Sequence, residues 1–229
     1  MKYLQTFSLF ESITTGTLTK RQESFLDRYT NGTWSVKHST GLVDVQGTFD
    51  CSSRGLKSLS GIQFGTVKES FYCYNNQLTS LVGAPQTVKG DFYCSSNQLT
   101  SLAGAPQTVG RGFWCYNNQL TSLAGAPRTV GGRFSCNSFE LKPGEWNPTG
   151  WLKVIRTGSP EAQKLILTLP YLDADWWNSE LSKDPARTIQ LLAPVWSQMS
   201  DELKRGIRIP PGYEDRLGMR SEFSELGLF

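Results

Sequence analysis

Residues 75–134 read NNQLTSLVGAPQTVKGDFYCSSNQLTSLAGAPQTVGRGFWCYNNQLTSLAGAPRTVGGRF, one phrase written nearly three times over. The beat extends beyond this stretch, because the five cysteines stand at Cys51, Cys73, Cys94, Cys115 and Cys136, with gaps of 22, 21, 21 and 21. Aligned on cysteine, each unit has the form V-x-x-x-F-x-C-x-x-N-x-L-x-x-L-x-G-A-P. The second runs Val88, Phe92, Cys94, Asn97, Leu99, Leu102, Gly104, Pro106. Phe92 and Cys94 are two apart, the period of a strand with one buried face. Leu99 and Leu102 follow a turn and point back toward the same interior. Asn97, at the bend, is placed to bond backbone groups of neighbouring coils that would otherwise be buried unsatisfied. Gly104 and Pro106 predict an extended rather than helical return path. One such unit cannot bury its own apolar face, whereas stacked units can, so the fixed period predicts a solenoid.

The thiols narrow the reading further. Zinc sites use paired ligands two to four residues apart, and this spacing offers none. One cysteine per unit reads as a small apolar residue filling the same buried slot each time, which favours a reducing compartment. The chain of 229 residues is long enough for one or two domains with a sizeable core. Its net charge of +3 is too small to imply nucleic acid or an anionic membrane as partner. No apolar run approaches the length of a membrane span. The start, MKYLQTFSLFES, is short and amphipathic and lacks the apolar core and cleavage site of a secretion signal.

The pattern F-x-C-x-x-N-x-L-x-x-L resembles the leucine-rich repeat, with an aromatic residue and cysteine replacing two strand leucines. The short unit, the NNQLTSL phrase and the proline after it are most similar to bacterial effector-type leucine-rich repeats of about 20–22 residues. The resemblance covers roughly residues 46–141. It implies an α/β repeat solenoid, curved, with a parallel sheet on the concave side and mostly extended convex segments. Arg54 and Phe139 replace the asparagine in the first and last units, as expected of atypical terminal caps. The asparagine row is then Asn76, Asn97 and Asn118. The K-x-L-x-x-F-x-x-F-E-S start, the GTW and GLVDV segments and the near-identical repeats together resemble proteins of large tailed bacteriophages. Residues 1–12 also resemble the leader that sends phage proteins into the prohead; alternatively, Leu4, Phe7 and Phe10 form the apolar face of a first helix. This resemblance implies a phage or bacterial origin and a location in the host cytoplasm or the virion.

Four segments are expected: an N-terminal helix and β-hairpin cap over 1–45, a solenoid of about five repeats over 46–141, a linker over 142–150, and a helical domain over 151–229. Thr19 is a candidate N-cap with Gln22 as its capping-box partner, and Asn31-Gly32 ends that helix. A hairpin turning at His38–Gly41 leads into the first repeat strand and covers the open edge of the sheet. In the C-terminal segment, Ser159-Pro160, Asp184-Pro185, Asp173 and Ser200 mark helix starts. Leu165, Ile166, Leu169, Trp176, Trp177, Leu181, Ile189, Leu192, Trp196, Met199 and Leu203 are the expected helical core.

The residues form no catalytic constellation, so the chain reads as a non-enzyme needing neither cofactor nor metal. The single histidine, His38, falls in a turn. Gly110, Gly112, Gly131 and Gly132 are turn residues rather than a phosphate loop, and Asp173 with Asp175 suits a helix start. Effector ubiquitin ligases join similar repeats to a helical domain, but their chemistry requires a nucleophilic cysteine there, and none follows Cys136. A binding surface is the better expectation. With Phe71, Phe92, Phe113 and the cysteines inward, Tyr72 and Tyr74, Tyr93 and Ser95, Trp114 and Tyr116, then Ser135 and Asn137, face outward. The aromatics would form a continuous strip with Asp50, Asp91 and Arg133 in register at its margins. The expected site is Tyr72, Tyr74, Tyr93, Trp114, Tyr116, Asp91 and Arg133. Its partner is expected to be a protein of the host or phage, with virion self-assembly or glycan binding as alternatives. Cross-strand aromatic stacking would by itself account for the rings without any ligand. Arg111 and Arg133 are too few to argue for RNA.

Overall fold

The computed structural model describes residues 18–218, so the leader or first helix expected over residues 1–12 lies outside the described residues. The chain divides into two compact units, Met1–Gly150 and Trp151–Phe229.

The first unit opens with helix α1 (Lys20–Tyr29), which starts where its capping box predicts. Thr19 Oγ1 accepts from Gln22 N at 3.3 Å while Gln22 Oε1 accepts from Thr19 N at 2.7 Å. Gln22 also donates to Gly61 O at 2.8 Å, tying the helix to the first coil. The strands that follow are β1 (Thr30–Asn31), β2 (Trp34–Val36), β3 (Val43–Val45) and β4 (Thr48–Asp50). The helix ends before Asn31-Gly32 because Thr30 and Asn31 leave it to pair antiparallel with β4. β2 and β3 make the expected hairpin around His38–Gly41, and Lys37 bridges across it to Asp44 at 2.9 Å.

Four coils come next, each with two short strands: β5 (Phe64–Val67) and β6 (Phe71–Tyr72), β7 (Thr87–Val88) and β8 (Phe92–Tyr93), β9 (Thr108–Val109) and β10 (Phe113–Trp114), β11 (Thr129–Val130) and β12 (Phe134–Ser135). A last strand, β13 (Glu140–Leu141), turns back antiparallel onto β12. Stacking generates two sheets, ordered β1-β4-β6-β8-β10-β12-β13 and β11-β9-β7-β5-β3-β2, parallel from coil to coil. The first holds the Phe-x-Cys strands. The second, built from the Thr-Val pairs, was not anticipated from the sequence, which suggested only an extended return path. Only Lys89–Asp91 separates β7 from β8, so the chain turns a tight corner between sheets. Coils meet closely there: a Cβ on Gly110 would lie 2.1 Å from the carbonyl oxygen of Lys89 on the preceding coil.

The interior is a set of matched columns. Phe49, Phe71, Phe92, Phe113 and Phe134 are wholly buried, with successive ring centroids 5.3, 5.5, 5.4 and 5.3 Å apart. Phe25 of α1 closes one end at 5.8 Å, and Trp146 closes the other, 4.0 Å from Phe134. Each buried ring stabilises the fold by about 1.5–3 kcal/mol. Beside this column run the cysteines, all five free and buried, as their spacing predicts. Where the chain leaves the first sheet, Ser53, Asn75, Ser96 and Asn117 take left-handed backbone at φ 52–56°, and an asparagine follows in each inner coil. Asn97 Nδ2 donates to the carbonyls of Cys73 and Cys94 at 3.0 and 3.1 Å, while its Oδ1 accepts from Leu78 N at 3.0 Å. Asn76 and Asn118 repeat the arrangement one coil away on either side. The side chain thus satisfies backbone groups on both its own coil and the preceding one.

Helix α2 (Pro148–Thr157) runs into the second unit, which continues with α3 (Pro160–Ile166), α4 (Ala174–Lys183), α5 (Pro185–Leu192) and α6 (Asp201–Gly206). Their starts are side-chain capped as the sequence predicts. Ser159, Asp173, Asp184 and Ser200 accept from Ala162 N, Trp176 N, Arg187 N and Leu203 N at 3.2, 2.8, 3.0 and 3.2 Å. The core is centred on fully buried Trp177, Ile189 and Leu192; Trp176 and Leu203, also expected inside, are only half-buried. Asn178 holds the segment after α6 by donating to Gly206 O and accepting from Arg208 N.

Candidate functional site

On the outer side of the Phe-x-Cys sheet, strand alternation leaves every second residue facing away from the core. The row that pairs through β4, β6, β8, β10, β12 and β13 reads Asp50, Tyr72, Tyr93, Trp114, Ser135, Glu140. Two residues further along each coil stands a second row: Ser52, Tyr74, Ser95, Tyr116, Asn137. The five aromatic residues singled out in the sequence therefore gather on one face. Tyr72 and Tyr93 meet edge to face at 5.3 Å, and Tyr93 stacks on Trp114 at 5.3 Å. Tyr74 lies 6.3 Å from Tyr72 and 6.4 Å from Tyr93. Tyr74 and Tyr116 are 38% and 37% exposed, so these rings present apolar area to solvent despite the stacking.

Three expectations need correcting. Ser95 and Ser135 were expected to be displayed with the tyrosines but are 3% and 8% exposed, because a side chain this short is shadowed by the rings beside it. Asp50 was expected in the margin row with Asp91 and Arg133. Its pairing with Tyr72 puts it at the end of the ring row instead. Counting from cysteine shows why: Asp50 precedes Cys51 by one, as Tyr72 precedes Cys73, whereas Asp91 and Arg133 precede theirs by three.

The margin residues are engaged structurally. Asp91 Oδ1 accepts from Gly112 N at 2.8 Å, and Asp91 N donates to Ser70 Oγ at 3.0 Å, linking three coils. Arg133 places its guanidinium 5.7 Å from the Trp114 ring centre and reaches Glu140 at 3.1 Å. That pair was not foreseen, because Glu140 joins the row only through the reversal at β13. Burial, then the charge of Asp91, then the hydroxyls of Tyr72 and Tyr116 push the Tyr93 phenol above its ordinary range, which keeps it neutral. Burial raises the thiols of Cys73, Cys94 and Cys115 well above theirs, so none is poised as a nucleophile.

Ser95, Tyr74 and Tyr116 line an open depression of about 340 Å³. Tyr72, Tyr93 and Asp50 complete its lining. Among the described residues, no group of three or more metal-ligating side chains converges, and no helix is long and apolar enough to cross a membrane. Compared with protein-family models, curated proteins and solved structures, the chain matches none.

Proposed function

We propose that the chain is a non-enzymatic recognition scaffold of leucine-rich-repeat type whose aromatic strip docks a protein partner in a phage-infected or bacterial cell. The observation that carries this reading is the strip itself. Five aromatic side chains lie in two adjacent rows on one sheet face, with Tyr74 and Tyr116 more than a third exposed at its centre. Tyrosine and tryptophan combine a large apolar area with a polar tip and few rotatable bonds, which is why binding energy concentrates on them. The in-phase leucines and the asparagine row support the repeat class. The ordered backbone beneath supports the docking role, since a rigid platform loses little entropy on binding.

Affinity capture from a bacterial host lysate tests the reading. The wild-type chain should retain a partner that the triple variant Trp114→Ala, Tyr93→Ala, Tyr116→Ala does not, with unchanged circular dichroism. Equal capture by a folded triple variant would remove the strip from the function.

A further inference from the structure

We propose that the open edge of strand β11 is a second docking site, which takes an extended acidic segment of a partner protein as one more parallel strand. The site is separate from the aromatic strip and does not depend on the strip's role.

Three of the four sheet ends are closed by a strand that runs backwards, whereas the fourth ends on β11, which among the described residues pairs with β9 alone. The interior joints show which groups this leaves over. Gln86 O, Val88 O and Gly90 O accept from Gln107 N, Gly110 N and Arg111 N at 2.9, 2.8 and 3.0 Å. One coil on, Gln107 O, Val109 O and Arg111 O accept from Arg128 N, Gly131 N and Gly132 N at 2.9, 2.9 and 2.8 Å. The next carbonyls in this series belong to Arg128, Val130 and Gly132, and among the described residues no donor reaches them. Thr129 N and Gly131 N both point back to the preceding coil, so strand alternation turns the Val130 N–H outward as well. Trp146 takes the carbonyl of Pro127, one residue before the series. Solvent reaches this edge. Thr129 is exposed where Thr66, Thr87 and Thr108 are half-buried, and Val130 is 5% exposed where Val67, Val88 and Val109 are wholly buried.

Three acceptors and one donor, in the order that every inner joint uses, call for extended backbone running the same way as β11. The flanking side chain selects the charge of the guest. In register, its column reads Gly65, Gln86, Gln107, Arg128, neutral until the open edge. Arg128 is exposed and makes no ion pair among the described residues. A carboxylate at the next place in this column lies one strand spacing away, about 4.8 Å at the backbone, within reach of the guanidinium. A second copy is the poorer occupant, because its own β11 in the same register would set Arg128 against Arg128.

The test is an NMR titration of the full chain with the capped heptapeptide acetyl-Ala-Pro-Glu-Thr-Val-Gly-Gly-amide, which copies residues 126–132 with glutamate in place of the arginine. Saturable shifts of the Val130, Gly131 and Gly132 backbone amides are expected, with the ring signals of Tyr74 and Tyr116 unmoved. Sarcosine in place of the peptide's last glycine removes the N–H that meets Gly132 O and should weaken binding about fivefold. Glutamine in place of the peptide's glutamate should weaken it about threefold. Arg128→Gln, which restores the residue of the inner coils, should do the same, and the two changes together should cost no more than either alone. Circular dichroism confirms that the variant is folded. No saturable shift at β11, shifts centred on the rings instead, an indifferent sarcosine peptide, or a glutamine peptide binding as well as the glutamate one would each overturn the assignment. So would a Val130 amide already protected from exchange in the free chain. If that chain sediments as a dimer, the edge belongs to a second copy; if as a monomer, to the chain itself.

Discussion

At the scale of single residues, Asn97 is the most buried of the three in-phase asparagines. The residue is only 7% exposed, and its amide bonds the carbonyls of Cys73 and Cys94 while accepting from Leu78 N. Replacing it with alanine strands groups on two coils, at about 1–3 kcal/mol for each group left without a partner. Asn137, which stands in the tyrosine row, bonds the Asn118 backbone at 3.4 and 3.5 Å from an exposed side chain, so water substitutes for it. Asn97→Ala should therefore lower unfolding free energy by about 3 kcal/mol in urea, and Asn137→Ala by less than about 1 kcal/mol. Equal losses would mean that the row is ornamental. The bend position was legible in the sequence because an amide recurring in phase with buried leucines has one economical use. The role of Asp50 was not. Its row membership depends on phase relative to Cys51, and the first unit differs from the others in spacing as well as in residues.

Among elements, what the sequence concealed is informative. Each coil is bent between two sheets by strands of two residues, four in the case of β5, too short for alternation to register as a period. The Phe-x-Cys strands were legible because bulky buried residues flank an exposed one. The Thr-Val strands gain their identity only from stacking on copies of themselves. The helix starts of the second unit were fully legible, since a cap is a local device read from adjacent residues. The return path depends on Gly104, which sits at φ +87° with no room for a side chain: an added Cβ would lie 2.3 Å from the backbone nitrogen of Val82. Gly55 has φ +66° with open space around it. Gly55→Ala should cost only the left-handed strain of about 1–2 kcal/mol. Gly104→Ala adds a backbone collision of about 1–3 kcal/mol more. Thermal midpoints should rank wild type above Gly55→Ala above Gly104→Ala, and a reversal would show that coil spacing yields to the extra methyl.

For the first unit taken whole, the thiols act in concert on pH dependence. Cys51, Cys73, Cys94 and Cys115 are wholly buried, and burial pushes the ionisation of each to higher pH. An unfolded thiol gives up its proton at about pH 8.5. Below that pH, folded and unfolded chains bind the same protons and the thiols leave stability unchanged. Above it the unfolded chain binds fewer, so stability falls as pH rises toward the folded values, by up to about 1.4 kcal/mol per pH unit for each thiol. Urea unfolding between pH 8.5 and 10 should show this decline, and Cys94→Ala should make its slope shallower; identical slopes would place Cys94 in contact with solvent. A different property follows from the strands that run backwards. A stack of like coils ends in a surface that resembles its own interior joints, and nothing in the joint itself limits how many copies may add. Here β1 and β13 reverse direction at the two ends of one sheet, β2 does so at one end of the other, and Trp146 covers Phe134 while donating to Pro127 O at 2.9 Å. At these three of the four sheet ends an incoming chain finds an inverted backbone rather than a matching one. Reversed strands of this kind disfavour end-to-end addition of further copies, so the number of rings on the face follows from the number of repeats in the sequence.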